Sequence, residues 1–207
     1  MLHVGLTGGI GAGKSSVSAA MRDLGAHILD ADQLARELLV PGSEALEAVA
    51  AAFGPEILTA SGELDRGELA RRAFADEAAR ARLDAILHPR INALEARRAA
   101  ALAERFPSAV VVYDAALLLE SGAEAGMDRV VVVDVAPAVQ WQRALARGER
   151  SAEQIQAIMD AQWPRALRLQ KADDVIDNNG PWSATAAQVE QLMERYRALA
   201  RTGSAQP

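Results

Sequence analysis

The chain has 207 residues, of which 50% are hydrophobic, and a formal net charge of -6 at pH 7. This composition can fill a buried core and argues against a disordered chain, while the acidic balance argues against general nucleic-acid binding, which needs clustered lysine and arginine. The absence of cysteine excludes disulfides and thiolate chemistry. No stretch approaches the roughly 18 apolar residues of a membrane span and no signal-like segment opens the sequence, so we expect a soluble, uncleaved protein of the cytoplasm.

The first predicted elements are a strand, a glycine-rich loop, a helix and a second strand. Residues 2–7 form the first strand, and the helix after the loop has one apolar face that carries Val17, Ala20, Met21 and Leu24. Gly25 stands where a helix C-cap glycine is expected, and Ile28–Leu29 forms a second strand that leads into Asp30-Ala31-Asp32. This order predicts two acidic side chains at the carboxyl end of the second strand.

A helical block is predicted to follow over residues 33–106. Ser43 is placed to cap one of its helices and Asp76 to cap a later one. Pro89 then opens or kinks a long helix, because proline lacks the amide that continues an established helix.

Strand signals resume in the second half of the chain. Residues 109–114 and 129–135 are rich in valine and almost continuously apolar, which is typical of parallel strands covered on both faces. A helix is predicted from Pro137, a short last strand at Val175–Ile176, a final helix after it, and a disordered tail at 202–207. The order of elements predicts an open α/β sheet with a helical insertion.

The most informative motif is the loop Gly8–Ser15, which fits the pattern G-x-x-x-x-G-K-[ST] between a predicted strand and a predicted helix. Glycines allow a tight turn, and successive amides at a helix N-terminus attract phosphate. Lys14, one of only two lysines among 22 basic residues, can reach the β- and γ-phosphates, and the Ser15 hydroxyl can bind Mg²⁺. We therefore predict ATP and Mg²⁺ binding, with ATP contacts from Gly11, Ala12, Gly13, Lys14, Ser15 and Ser16.

The remaining motifs favour a small-molecule kinase over a switch or a motor. A guanine-reading N-K-x-D is missing, since its nearest match is Gln170–Asp173, and Asp114 is followed by alanine instead of the glutamate that activates water in motor ATPases. A kinase needs an acceptor domain and a mobile lid that exclude water. Residues 33–106 are long enough for the first and 138–167 for the second.

Several polar residues have two open interpretations. Asp32, after the second strand, is a candidate general base for an attacking hydroxyl, or else the N-cap of the next helix. The lid arginines either neutralise phosphate or lie on a solvated helix face, and they are Arg143, Arg147, Arg150 and Arg165.

Beyond these motifs, the chain resembles the dephospho-CoA kinase family, whose members carry out the last step of coenzyme A biosynthesis. The resemblance extends over roughly residues 2–200 and lies in the loop together with Asp30-Ala-Asp32, Leu87-His-Pro89 and Ala172-Asp-Asp-Val-Ile-Asp-Asn178. One motif departs from the family, which has a proline and an aromatic residue where this chain has Ala116 and Leu119.

The resemblance implies a P-loop NTPase fold like that of nucleoside-monophosphate kinases, with a five-stranded parallel sheet, a helical acceptor-binding insertion at 33–106 and a lid at 138–167. The sheet-bearing core would comprise 1–32, 107–137 and 168–201. The reaction would move the γ-phosphoryl group of ATP to the ribose 3′-hydroxyl of dephospho-CoA. The resemblance implies no nucleic acid, membrane or obligate protein as a partner.

The same resemblance assigns residue roles. Asp32 would be the base, Lys14 and Arg143 would stabilise phosphate charge, and Arg147 and Asn178 would contact ATP. The acceptor would meet Asp32, His88, Asp114 and Leu117. For His88 a structural role beside Pro89 stays open, and another small-molecule P-loop kinase or a nucleotide-binding switch stays open as an alternative for the whole protein.

Overall fold

Five parallel strands form the centre of the larger of two units in the computed structural model, which describes residues 1–73 and 75–203. The strand order is β2-β3-β1-β4-β5, and every neighbouring pair is parallel. The predicted fold class is confirmed. The strands are β1 Leu2–Gly8, β2 His27–Asp30, β3 Val110–Asp114, β4 Arg129–Asp134 and β5 Asp174–Asp177.

Nine helices are present in the described residues, with short 3₁₀ turns at Pro55–Ile57 and Ala123–Gly126. The helices are α1 Lys14–Asp23, α2 Ala31–Leu38, α3 Glu44–Phe53, α4 Arg66–Ala73, α5 Glu77–Arg105, α6 Pro137–Ala146, α7 Ala152–Ala161, α8 Arg165–Lys171 and α9 Trp182–Gly203. Within the described residues, no helix is long and apolar enough to cross a membrane.

The larger unit comprises Met1–Asp30 and the chain from Ala99 onward. Its core joins the sheet to α1 and α9 through side chains that are almost completely buried, among them Val4, Leu6, Val17, Met21 and Tyr196. Burying a side chain of this kind contributes about 1.5–3 kcal/mol. The core therefore holds β1 and α1 firmly on either side of the loop that joins them.

The last strand is tied to the last helix by a buried polar cluster. The Tyr196 hydroxyl donates to Asp174 Oδ2 at 2.6 Å, and Arg129 Nε donates to the same oxygen at 2.8 Å. Burial, the largest single effect, would raise the pKa of Asp174, but the interactions with Arg129, Tyr196 and Arg195 together outweigh it and hold this pKa below its usual range. The ionised carboxylate is thus the form that stabilises the fold.

The second unit, Ala31–Arg98, is the helical block. Its own core contains Leu46, Val49 and Phe53 of α3, and the predicted cap of this helix is confirmed, since Leu46 N donates to Ser43 Oγ at 3.2 Å. The predicted cap at Asp76 is confirmed as well, because Ala79 N donates to its Oδ1 at 2.6 Å. The unit begins two residues before the predicted boundary at 33 and ends eight before the one at 106.

Two sequence predictions need correction. Of the two alternatives for Pro89, the opening of a helix is wrong, because Pro89 lies inside α5. Arg90 Nη1 donates to the Ile86 carbonyl at 2.7 Å, next to the Ala85 carbonyl that proline leaves without its helical amide. The last helix continues through Thr202 and Gly203, the first two residues of the predicted tail. The rest of that tail, 204–207, lies outside the described residues.

The three helices that contain the predicted lid belong to the larger unit. Pro137 is the first residue of α6, as predicted, because its fixed φ suits a helix start and its missing amide would have no helical partner there. The predicted lid, 138–167, covers α6 and α7 and ends inside α8. That these helices act as a lid stays a prediction.

Candidate nucleotide-binding site

The glycine-rich loop connects β1 directly to α1, which begins at Lys14. Gly11 has a φ of 74° and Gly13 a φ of 89°, values in the left-handed region that side chains disfavour. A Cβ at Gly11 would lie 2.4 Å from the Gln140 carbonyl oxygen, and one at Gly13 would lie 2.3 Å from Asn178 Nδ2. Both positions therefore require glycine for conformation and for space.

One side of the loop is held by Asn178, which follows β5. Its Nδ2 donates to the Ala12 carbonyl at 2.7 Å, and its Oδ1 accepts from the Thr185 hydroxyl at 2.8 Å. Asn178 and Thr185 are both buried. Asn178, predicted to contact ATP, thus supports the backbone of the loop that would bind it.

The other side of the loop is held by Gln162, which follows α7. Its Oε1 accepts from Ile10 N at 2.9 Å, and its Nε2 lies 3.4 Å from the Ala116 carbonyl oxygen. The next residue, Trp163, donates its backbone amide to Glu120 Oε1 at 2.6 Å. The sequence analysis missed Gln162, because a single glutamine at a helix end carries no motif.

Lys14 and Asp114 meet at the carboxyl ends of neighbouring strands. Leu6 of β1 is paired with Asp114 of β3, so the carboxylate lies beside the loop, and it forms an ion pair with Lys14 Nζ. Asp114 is buried. The structure thus brings together two of the predicted site residues, an ammonium group and an acidic group, at the edge where ligands bind in sheets of this kind.

A cleft of about 420 Å³ opens over the loop and brings together most of the predicted ATP contacts. Arg143 and Arg147 give it positive charge from the end of α6, and Trp182 at the start of α9 adds an aromatic wall that is 45% exposed. The sequence analysis missed Trp182, for which only its position after the last strand could have been a signal. The lining residues are Gly11, Gly13, Ser16, Arg143, Ala146, Arg147, Asn178, Gly180 and Trp182.

The other two candidate lid arginines have carboxylate partners and do not line this cleft. Arg165 donates to Asp134 through Nε at 2.8 Å and Nη2 at 2.6 Å, and this pairing raises the pKa of the Arg165 guanidinium. Arg150 Nη1 lies 3.8 Å from Glu149 Oε2. Of the four, Arg143 and Arg147 are therefore the ones in position to meet a nucleotide in the cleft.

Three further predicted residues, Asp32, His88 and Leu117, are described by the helix or turn that carries each of them. Asp32 is in the first turn of α2, which begins at Ala31, so its interpretation as an N-cap is wrong: the helix is already under way. His88 Nε2 lies 3.6 Å from Asp84 Oδ1, one turn earlier on α5. Leu117 lies in the turn after β3, where its carbonyl accepts from Ser121 N at 3.0 Å.

The metal prediction depends on Ser15, in the first turn of α1. Within the described residues there is no group of three or more histidine, aspartate or glutamate side chains that could hold a metal ion. Mg²⁺ commonly keeps several waters and takes phosphate oxygens as ligands. The exposed Ser15 side chain fits such a site, because it would supply one oxygen beside phosphates bound on the loop.

Comparisons with known proteins agree on one family. The family model described as dephospho-CoA kinase matches residues 2–183. A curated relative from Cupriavidus pinatubonensis, named dephospho-CoA kinase, is 46% identical over 207 residues, which cover 100% of both chains.

Two solved structures have the same fold. The crystal structure of TT1252 from Thermus thermophilus aligns with a TM-score of 0.77 at 29% identity and covers 94% of this chain and 97% of that one. Dephospho-CoA kinase from Campylobacter jejuni aligns with a TM-score of 0.71 at 23% identity and covers 95% and 97% of the two chains.

Proposed function

The chain belongs to the dephospho-CoA kinase family, and we propose that it transfers the γ-phosphoryl group of ATP to the ribose 3′-hydroxyl of dephospho-CoA through the site described above. This reaction is the last step of coenzyme A biosynthesis. The observation that carries the proposal is the complete phosphate-binding loop, with Lys14 at its end, at the mouth of a cleft that can take a nucleoside.

ATP would lie with its nucleoside in the cleft and its phosphates along the loop. The cleft offers Trp182 as an apolar wall and Asn178 beside the loop, while Arg143 and Arg147 offer charge for the phosphates. Amides of the loop and of the first turn of α1 would donate to phosphate oxygens. Lys14 would exchange part of its contact with Asp114 for the β- and γ-phosphates.

Magnesium would be held by the Ser15 hydroxyl and by phosphate oxygens, and it would neutralise charge that develops on the transferred group. The chain's own contribution to this charge balance would come from Lys14 and Arg143. Preorganised donors of this kind are typically worth a factor of about 10²–10³ in kcat each.

The acceptor would be bound by residues 33–106 and covered by the lid at 138–167. The hydroxyl oxygen of the ribose would attack the γ-phosphorus as the bond from that phosphorus to the β,γ-bridging oxygen breaks, and ADP would leave. Asp32 would accept the hydroxyl proton as general base. His88, Asp114 and Leu117 are proposed to contact the acceptor.

A panel of acceptors tests the proposal. Purified protein with ATP and magnesium is supplied with dephospho-CoA, nucleoside monophosphates or sugars, and ADP release is followed by a coupled assay. We expect rapid ADP release with dephospho-CoA and formation of coenzyme A. Rapid turnover only with a different acceptor would identify another small-molecule kinase, and ATP binding with no acceptor-dependent ADP release would identify a switch or scaffold.

A further inference from the structure

Two buried side chains beside the phosphate-binding loop have donor groups without acceptors. Arg168 of α8 is only 6% exposed and Gln140 of α6 only 4%. In the part of the chain that the structure describes, neither Arg168 Nε nor Gln140 Nε2 has a hydrogen-bond partner. Leaving a buried donor unpaired is unfavourable, and more so when the donor is charged, so two of them at one place require an explanation.

Both donors lie against Gly9, the second residue of the loop. A Cβ built at Gly9 would lie 2.5 Å from Gln140 Nε2 and 2.9 Å from Arg168 Nη2. Gly9 does not have a left-handed φ, so a side chain at this position would be opposed by the ends of these two side chains and not by backbone strain. The ends of both side chains therefore lie in the space that a side chain at Gly9 would take.

Two carboxylates, Glu120 and Asp134, act electrostatically on Arg168, and each accepts a hydrogen bond from another group. The pKa of Arg168 is lowered, chiefly because the guanidinium is buried, and the charges of Glu120 and Asp134 oppose this effect in part. Asp134 is paired with Arg165, and Glu120 Oε1 accepts from Trp163 N, while the buried Glu120 Oε2 has no hydrogen-bond partner in the described residues. Arg168 Nη1 donates to the Trp163 carbonyl, which fixes the guanidinium in place. Within the described residues, this buried cation thus has no direct carboxylate partner.

The position of these donors along the loop points to one end of a bound triphosphate. The cleft that would take the nucleoside opens over Gly11 and Gly13, so Gly9 lies toward the other end of the phosphate chain. Lys14, which would meet the β- and γ-phosphates, contacts Asp114 at the neighbouring strand end. An anion at this end would accept from donors that have no other partner.

We propose that Arg168, with Gln140 beside it, binds the terminal phosphoryl group of ATP and distinguishes the triphosphate from the diphosphate. This inference rests on the proposed kinase function and adds two residues to it. The guanidinium would donate through Nε or Nη2 and the amide through Nε2, each to an oxygen of the γ-phosphate. Such contacts strengthen as charge develops in the transfer, so Arg168 would lower the barrier as well.

The test compares the Arg168→Met variant with the parent protein in their affinities for a diphosphate and for a triphosphate analogue. Methionine keeps the buried volume and removes the donors. Calorimetry measures binding of ADP and of a β,γ-imido analogue of ATP in the presence of magnesium. A lost hydrogen bond to a charged group corresponds to about a 10- to 100-fold loss of affinity. We expect that loss for the analogue and less than about a twofold change for ADP, with Gln140→Met showing a smaller loss of the same kind.

Lys171→Met is the matched control, since it removes a cation from the exposed end of the same helix, and we expect it to bind both nucleotides as the parent protein does. If Arg168→Met does not fold, Arg168→Lys replaces it, because it keeps the charge and loses the planar fork. Equal losses for ADP and the analogue would reveal a purely structural role, and no loss would exclude phosphate contact. Either result overturns the inference.

Different results would contradict the proposed function and this inference. If the parent protein shows no acceptor-dependent ADP release, the kinase proposal is wrong. If the parent protein turns over normally and Arg168→Met prefers the triphosphate analogue as strongly as the parent does, only the assignment of Arg168 is wrong.

Discussion

Asn178 offers the sharpest test of how the phosphate-binding loop is held. Replacing it with alanine removes the donor to the Ala12 carbonyl, 2.7 Å away, and the acceptor for the Thr185 hydroxyl, 2.8 Å away. The Thr185 side chain is completely buried. After the substitution, its hydroxyl would have the Asp177 carbonyl oxygen, 3.4 Å away, as its hydrogen-bond acceptor. The substitution thus removes two hydrogen bonds and leaves a buried hydroxyl poorly satisfied.

The expected loss follows from these contacts. Each hydrogen bond contributes a net of about 1 kcal/mol, and leaving a buried polar group unsatisfied adds to that, so we expect Asn178→Ala to lower the free energy of unfolding by about 2–3 kcal/mol. For a chain of this size, each kcal/mol shifts the melting temperature by about 2–4 °C. Thermal unfolding should therefore occur about 4–12 °C lower, and KM for ATP should rise because the loop loses one of its two supports.

A double-mutant cycle isolates the bond between the two side chains. Thr185→Val removes the hydroxyl and keeps the shape, and because both single variants break the Asn178–Thr185 bond, the double variant should lose about 1 kcal/mol less than the sum of the two. Calorimetric unfolding of the four proteins, with and without ADP, measures this. Unfolding of Asn178→Ala at the parent temperature with an unchanged KM for ATP would refute the reasoning.

Three further predictions concern catalysis, the loop and pH. Asp32→Asn should lower kcat by about 10²–10⁴ in steady-state assays with little change in ATP affinity, and near-normal turnover would remove Asp32 from the role of base. Gly9→Ala should weaken nucleotide binding in titrations, because its Cβ would lie 2.5 Å from Gln140 Nε2 and would displace the end of that side chain beside the loop; parent-like binding would contradict this packing. The pKa of Asp174 lies below its usual range in the folded protein, so its contribution to stability is complete above an unfolded pKa of about 3.9 and is lost as pH falls through the lower, folded value. Urea unfolding between about pH 5 and about pH 2.5 should show this loss in the parent protein and a weaker pH dependence in Asp174→Asn, and identical pH profiles would contradict it.

The sheet and the loop could be predicted from the sequence because their signals are local. Valine-rich runs identify β3 and β4 by composition alone. The loop Gly8–Ser15 is a contiguous motif, and two of its glycines, Gly11 and Gly13, adopt a positive φ that favours glycine. The sequence left two outcomes open at Pro89, a helix start or a kink. Proline is favoured at a helix start but also occurs, at a cost, inside a helix, as it does in α5.

The contacts that hold the loop could not be predicted, even though Asn178 itself was a predicted site residue, since each supporting side chain is distant in sequence from the residue it contacts. Gln162 meets Ile10 across 152 residues and Asn178 meets Ala12 across 166. A glutamine at the end of α7 has the same local sequence features whether it faces solvent or a loop. Only the paths of β4 and β5 through the sheet bring these amides to the loop, and that is tertiary information.

The same contacts bear on the motif in which the sequence analysis expects this chain to depart from its family. Ala116 is exposed, and the part of it that the structure uses is its carbonyl, which accepts from the Thr7 hydroxyl at 3.2 Å and lies 3.4 Å from Gln162 Nε2. A proline at this position would offer the same carbonyl, so its replacement by alanine leaves the link between this turn and the phosphate-binding loop intact. Leu119 is only 2% exposed and is therefore a packing group at the position where the resemblance implies an aromatic residue. The expected departures thus fall on side chains that the loop's support does not use, while Asp114 and Glu120, the two polar positions of the motif, contact Lys14 and Trp163.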